Sequence, residues 1–230
     1  MRAMLPSLPN LAARLLIATV AVLGLAHALQ RSIVTPLLPV FGAVLGSLDS
    51  DVRVLNVATG HDGPNDTVRF DVNLAHPVEI GGKTVYPYGT HSIPDGFMTV
   101  NLGAAGLLQY ALLLMILVLA WPFDSAAEGV ARLLVAAPCV VLLIVIPGPS
   151  TALSLVWGPF HEALAPGAFW PSLAWSRFLS GGGGLAVAAT LAAVAIAIGR
   201  RNPGSAAGTT GPAPPPQPAP RQSADATPLL

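Results

Sequence analysis

Three histidines and two aspartates lie within one stretch of the chain: His61, Asp62, Asp66, His76 and His91. Imidazole nitrogens and carboxylate oxygens are ligands that zinc accepts. Asp62 and Asp66, with backbone oxygens, are donors that calcium accepts. Their spacing matches neither the D-x-[DN]-x-[DN]-G calcium loop nor a known zinc pattern. A solvated turn and ordinary polar surface are therefore the expectation at these positions. No metal, cofactor or catalytic residue is assigned, and the five stay as metal candidates only. Cys139 would act as a nucleophile only beside a base. Its neighbours are Val, Leu and Ile, so packing is expected. Ser150 follows Gly148-Pro149, and an intramembrane serine protease would need a histidine to take its proton. His27 is the one histidine in an expected span, and no recognisable motif surrounds either residue. No phosphate-binding glycine loop occurs and no acid interrupts the expected spans, which disfavours active transport by this chain alone.

The elements around these residues are set by missing charge. Leu102–Ala120, Leu133–Ile146 and Leu185–Gly199 contain no Asp, Glu, Lys or Arg, and Leu15–Gln30 holds only His27 as a titratable group. A helix needs roughly 20 residues to cross the hydrocarbon of a bilayer. With their flanks these runs reach that length. Only 10% of the 230 residues are charged. Soluble domains carry about 25%. Such a chain could not cover a soluble surface. Eleven basic residues balance eleven acidic ones. No net field therefore draws nucleic acid. The single cysteine excludes an intramolecular disulfide.

Residues 49–101 differ in kind. Val68, Phe70, Val72 and Leu74 alternate with Thr67, Arg69, Asp71 and Asn73. Period two belongs to a strand with one covered face. Asp51–Ala58 and Val78–Pro87 are expected as neighbouring strands. Gly81-Gly82 marks a hairpin turn, and Thr59–Asp66 reads as a loop. A weak core of this size would rest on the membrane surface, on Ile33–Leu48 or on a partner.

The fold class is thus membrane α-helical: about four transmembrane helices, with a small antiparallel β segment between the first and second. Residues 1–48 hold the first helix and a segment that Pro36 and Pro39 kink or lay at the interface. Two readings of the start remain, a retained helix or a secretory signal cleaved after Ala26-His27-Ala28. Residues 102–199 form a three-helix membrane domain. Pro138 bends its second helix, Pro147-Gly148-Pro149 stops it, and residues 150–180 make an aromatic interfacial or re-entrant loop. Gly181–Gly184 is a hinge. Residues 200–230 are a Pro- and Ala-rich tail, expected to be disordered, whose PAPPPQPAP run is also a polyproline II former. Arg200-Arg201 place the tail in the cytoplasm and residues 49–101 outside.

One helix, then VRFDVNLAHPVEI, then GLLQYALLLMILVLAWP: in this order residues 11–122 resemble the small accessory inner-membrane proteins of exosortase-type systems, which process and export proteins with a C-terminal sorting segment. The resemblance lies in layout and carries over no catalytic residue. Exosortases use a membrane-embedded Cys with Arg and His, an arrangement that Cys139 lacks. The resemblance implies a bacterial inner-membrane protein; the weak β core, the small-residue helix faces and the lack of a catalytic constellation favour an accessory over an enzyme. Its expected partners are the lipid bilayer and a larger membrane protein. A membrane enzyme or metal-dependent sensor using His61, Asp62, Asp66, His76 and His91 is the alternative.

Overall fold

The computed structural model describes residues 8–63, 65–89 and 97–201. His91 and the Pro-rich tail from residue 202 lie outside the described residues. The protein is mostly helical, with three long apolar helical stretches and a small antiparallel sheet that follows the first.

Helix α1 (Leu8–Val34) ends just ahead of Pro36, which has no backbone donor to give. One 3-10 turn (Thr35–Leu37) then leads into α2 (Leu38–Leu48), so the chain stays helical through Ile33–Leu48. Strands β1 (Val52–Asp62) and β2 (Asn65–Leu74) pair antiparallel, and β5 (Met98–Gly103) pairs with the other edge of β2. The short β3 (Val78–Ile80) and β4 (Lys83–Val85) form a separate hairpin. Its turn is Gly81-Gly82, both at positive φ. Glycine adopts that conformation without steric cost.

Three expectations for the β segment need correction. Val78–Pro87 does not neighbour Asp51–Ala58; β5 completes the sheet instead. The loop expected over Thr59–Asp66 is mostly strand, because β1 runs on to Asp62 and β2 starts at Asn65. Leu102 and Gly103 belong to β5, so the helix expected from Leu102 is α3 (Ala104–Ala120), only 17 residues long. The short alternation Met98-Thr99-Val100-Asn101-Leu102 merges into an apolar run, which hides the strand.

The sheet's apolar face rests on α2, as one of the expected supports. Phe70 of β2 lies with its ring centroid 6.3 Å from that of Phe41, and Val68, Val72, Val100 and Leu45 are buried with them. On the other face, buried Asp71 accepts hydrogen bonds from Arg69 Nε at 2.7 Å and Thr99 Oγ1 at 2.9 Å.

Helix α4 (Ala126–Val145) begins ahead of the charge-free run that marks it in the sequence and carries Pro138 inside it. Helix α4 stops ahead of Pro147, as expected, but another helix, α5 (Pro147–Leu164), starts there at once. A first-turn proline loses no intrahelical bond, because those amides have no acceptor anyway. Most of α5 is buried, so the first part of the expected aromatic loop is a packed helix. Trp157 Nε1 donates to Asp49 Oδ2 at 2.6 Å and ties α5 to the end of α2. Helix α6 (Pro171–Phe178) follows and joins α7 (Gly184–Arg201) through a π turn that holds Gly182 at φ 102°.

Helices α1, α3, α4 and α7 form a bundle, and α2, the strands, α5 and α6 cap one end. Helix α3 is its central member. Ala18 of α1 packs on Ile116 and Ala120, Tyr110 donates to Leu179 O at 3.0 Å, and Trp121 meets Arg200. Helices α3 and α7 therefore run away from the cap, and α1 runs toward it.

Candidate functional site

The structure divides the five metal candidates. His61 and Asp66 face each other across the β1–β2 ladder, next to its turn, with Nδ1 2.9 Å from Oδ1. Asp62 is beside them. His76 lies at the far end of the same pair of strands, where its Nε2 is 3.1 Å from Asp51 Oδ1. At the usual rise per strand residue the two ends are roughly 30 Å apart. His61 and His76 therefore share no site, and His91 lies outside the described residues. Among the described residues, no three of His, Cys, Asp and Glu are grouped so as to hold a metal ion.

The protease pair does not form. Ser150 is buried in the first turn of α5, and its hydroxyl donates to Pro147 O at 2.9 Å. His27 instead opens onto a cavity at the tip of the β1–β2 hairpin. Cys139 is half-buried, with Sγ 3.5 Å from Val135 O, one turn back on its own helix.

Two polar sites remain, one at each end of the bundle. At the end away from the cap, Glu128 and Arg132 are buried and paired one turn apart on α4. Ser125 caps this helix by accepting from Glu128 N at 3.2 Å. Glu128 Oε2 accepts from Asp124 N at 2.9 Å. Arg132 donates to Trp121 O at 3.1 Å and Pro122 O at 3.0 Å, carbonyls at the C-terminal end of α3. A cation there answers the negative end of the α3 dipole. Arg200 of α7 lies over the Trp121 ring, 5.7 Å from its centroid, and its Nε is 3.9 Å from Glu128 Oε1. The group thus joins α3, α4 and α7. The sequence signal for it is Ser125-x-x-Glu128, a capping-box pattern that marks a helix start.

At the cap end, a cavity of about 330 Å³ lies where α1, the β1–β2 hairpin and the start of α3 meet. His27 and Gln30 line it from α1, Asp62 and Asp66 from the hairpin, and Asn101 from β5. These residues come from separate elements, so no spacing in the sequence announces them.

A third feature is His161 of α5. It is buried, its ring centroid is 3.7 Å from that of Trp170, and neither ring nitrogen has a hydrogen-bond partner. No family model matches this chain, nor does any curated protein or solved structure.

Proposed function

We propose that this chain is a multi-pass protein of the bacterial inner membrane, and that it serves a larger membrane protein as an accessory or assembly subunit without catalysing a reaction itself. The observation that carries the membrane reading is the wall of the bundle. Leu16, Ile17, Val20 and Leu25 of α1, Leu134 and Leu142 of α4, and Leu185 and Val194 of α7 are all exposed. A soluble bundle would turn such side chains inward; a bilayer solvates them. Helix α3 is 17 residues long. At the helical rise this is about 26 Å, near the thickness of the hydrocarbon core. It is enclosed by its neighbours, so its ends need not reach headgroups unaided.

Four spans follow: α1, α3, α4 and α7. The cap, with residues 49–101, is then outside. Arg14, Arg132 and Arg200 lie toward the opposite end, which the positive-inside tendency assigns to the cytoplasm.

The accessory role is supported by a groove of about 370 Å³ between α3 and α7, open on the wall of the bundle. Ala189, Ala193 and Ala197 line it, one helical turn apart. Small residues at this spacing let a second helix approach closely in lipid, where apolar surface alone gives no association. A role in surface-protein processing or export rests on the order of elements in residues 11–122.

The test is purification of the full chain from membranes in mild detergent, with identification of whatever accompanies it. An accessory subunit brings a membrane protein with it in fixed ratio, and Ala193→Phe, which fills the groove, releases that partner. A stable, lone monomer would contradict the accessory role.

A further inference from the structure

The cavity at the cap end is built with two opposite electrostatic walls. One wall is the start of α3. Gly103 is its N-cap, no side chain caps it, and Gly103 and Ala105 line the cavity. The first-turn amides of a helix have no internal acceptor and carry the positive end of its dipole, which favours an anionic group. His27 and Gln30 stand on the same cavity from α1. The other wall is the hairpin tip, with the carboxylates of Asp62 and Asp66. His61 engages one Asp66 oxygen, while the Asp62 carboxylate makes no hydrogen bond or ion pair among the described residues.

Between the walls is Thr67. It is only 7% exposed, it lines the cavity, and its hydroxyl has no hydrogen-bond partner among the described residues. Its partners on both neighbouring strands are glycines, Gly60 on β1 and Gly103 on β5. A Cβ at Gly60 would come to 3.1 Å from Thr67 Oγ1, and one at Gly103 would meet nothing within 4 Å. The row Gly60-Thr67-Gly103 therefore leaves a hydroxyl uncovered in the cavity floor. That hydroxyl opens into the cavity, where a ligand or water can bond it.

A bare cation would suit Asp62 and Asp66 but would face the positive end of α3. A bare anion would suit α3 but would face two carboxylates. A zwitterion suits both walls. The volume is also that of a small-molecule site, about ten times a single water's share of liquid volume. The place is distinctive as well. The exposed apolar run of α1 extends to Leu29, so His27 and Gln30 stand where the apolar wall meets the cap.

We propose that this cavity binds the phosphoethanolamine headgroup of a membrane phospholipid. The ammonium meets Asp62 and Asp66, and the phosphate meets the first turn of α3 with His27 and Gln30. Thr67 donates its hydroxyl to the phosphate. As a lipid site this rests on the membrane reading above. The shared chemistry of a soluble phosphoethanolamine ester is tested separately.

The experiment uses the full chain, first scored for recovery in carbonate-washed membranes, which tests the membrane reading by itself. Detergent-solubilised protein is then offered equal phosphatidylethanolamine, phosphatidylglycerol and phosphatidylcholine, and retained lipid is read by native mass spectrometry. Phosphatidylethanolamine should be retained in preference to both. Asp62→Asn, which leaves the His61–Asp66 pair in place, should weaken its retention about tenfold, the worth of one charge-assisted hydrogen bond. Thr67→Val keeps the shape of the floor, removes the hydroxyl and should also reduce retention. Displacement of the lipid by glycerophosphoethanolamine would support headgroup recognition, with binding of the ester alone at equal strength marking a soluble source. Equal retention of the three lipids, or a preference unchanged in both variants, would overturn the proposal. So would thermal protection by calcium chloride alone that Asp62→Asn abolishes.

Discussion

The two ends of the bundle use polar residues in opposite ways. At the far end, Glu128, Arg132, Asp124 and the carbonyls of Trp121 and Pro122 bond one another in a closed group. At the cap end, Asp62, Thr67, Asn101, Gln30 and His27 converge on a space and leave most of their hydrogen-bonding capacity unused. A buried group paired mainly within the chain, as this one is apart from Arg132 Nε and Trp121 Nε1, has little left to offer a ligand; its role is to fix α3, α4 and α7 together. Polar groups held apart around a cavity do the reverse. The difference separates stability from recognition within one small protein, and substitutions at the two ends should separate them too.

The largest effect is expected at the closed end. Arg132→Met leaves Glu128 buried without its main partner, and losing one member of such a pair costs about 3–5 kcal/mol. Unfolding in detergent should show that loss, and Glu128→Leu added to Arg132→Met should restore most of it, since no charge is then stranded. Next is the cap. Gly81→Ala puts a side chain at positive φ and drives its Cβ onto the Leu164 carbonyl. Strain of that kind costs about 1–3 kcal/mol. Protease susceptibility of the β3–β4 hairpin reports it. Trp157→Phe removes the hydrogen bond to Asp49. A lost bond to a charged acceptor costs on the order of 2 kcal/mol, read as a lower melting midpoint. The smallest effect belongs to the open end. Asp62→Asn should change stability by less than about 0.5 kcal/mol while altering lipid retention. A large stability loss there would place both ends in the same class.

The helical stretches are legible in the sequence because missing charge is a strong, long signal. The β1–β2 pairing is legible in its central residues, where Val68, Phe70, Val72 and Leu74 alternate with polar neighbours. β5 is not, because its alternation ends inside an apolar run and its partner β2 is distant along the chain. Pro147 and Pro149 look like a stop, although proline opens helices as readily as it ends them. The buried α5 is hidden by that ambiguity. At the candidate site, the chemistry of Asp62 and Asp66 marks them in the sequence, and they do stand together. His76 carries the same mark and lies at the other end of the strands. Thr67, Asn101 and Gln30 carry none, since only the folded arrangement gathers them.

The central claim is that α1, α3, α4 and α7 cross a bilayer with the cap outside the cytoplasm. Single cysteines introduced into a Cys139→Ala background and probed with a membrane-impermeant maleimide on spheroplasts test it most directly. Asp66→Cys should react in intact spheroplasts, and Asp124→Cys only after they are opened. Reaction of both before opening, or of Asp124→Cys alone, would contradict the account.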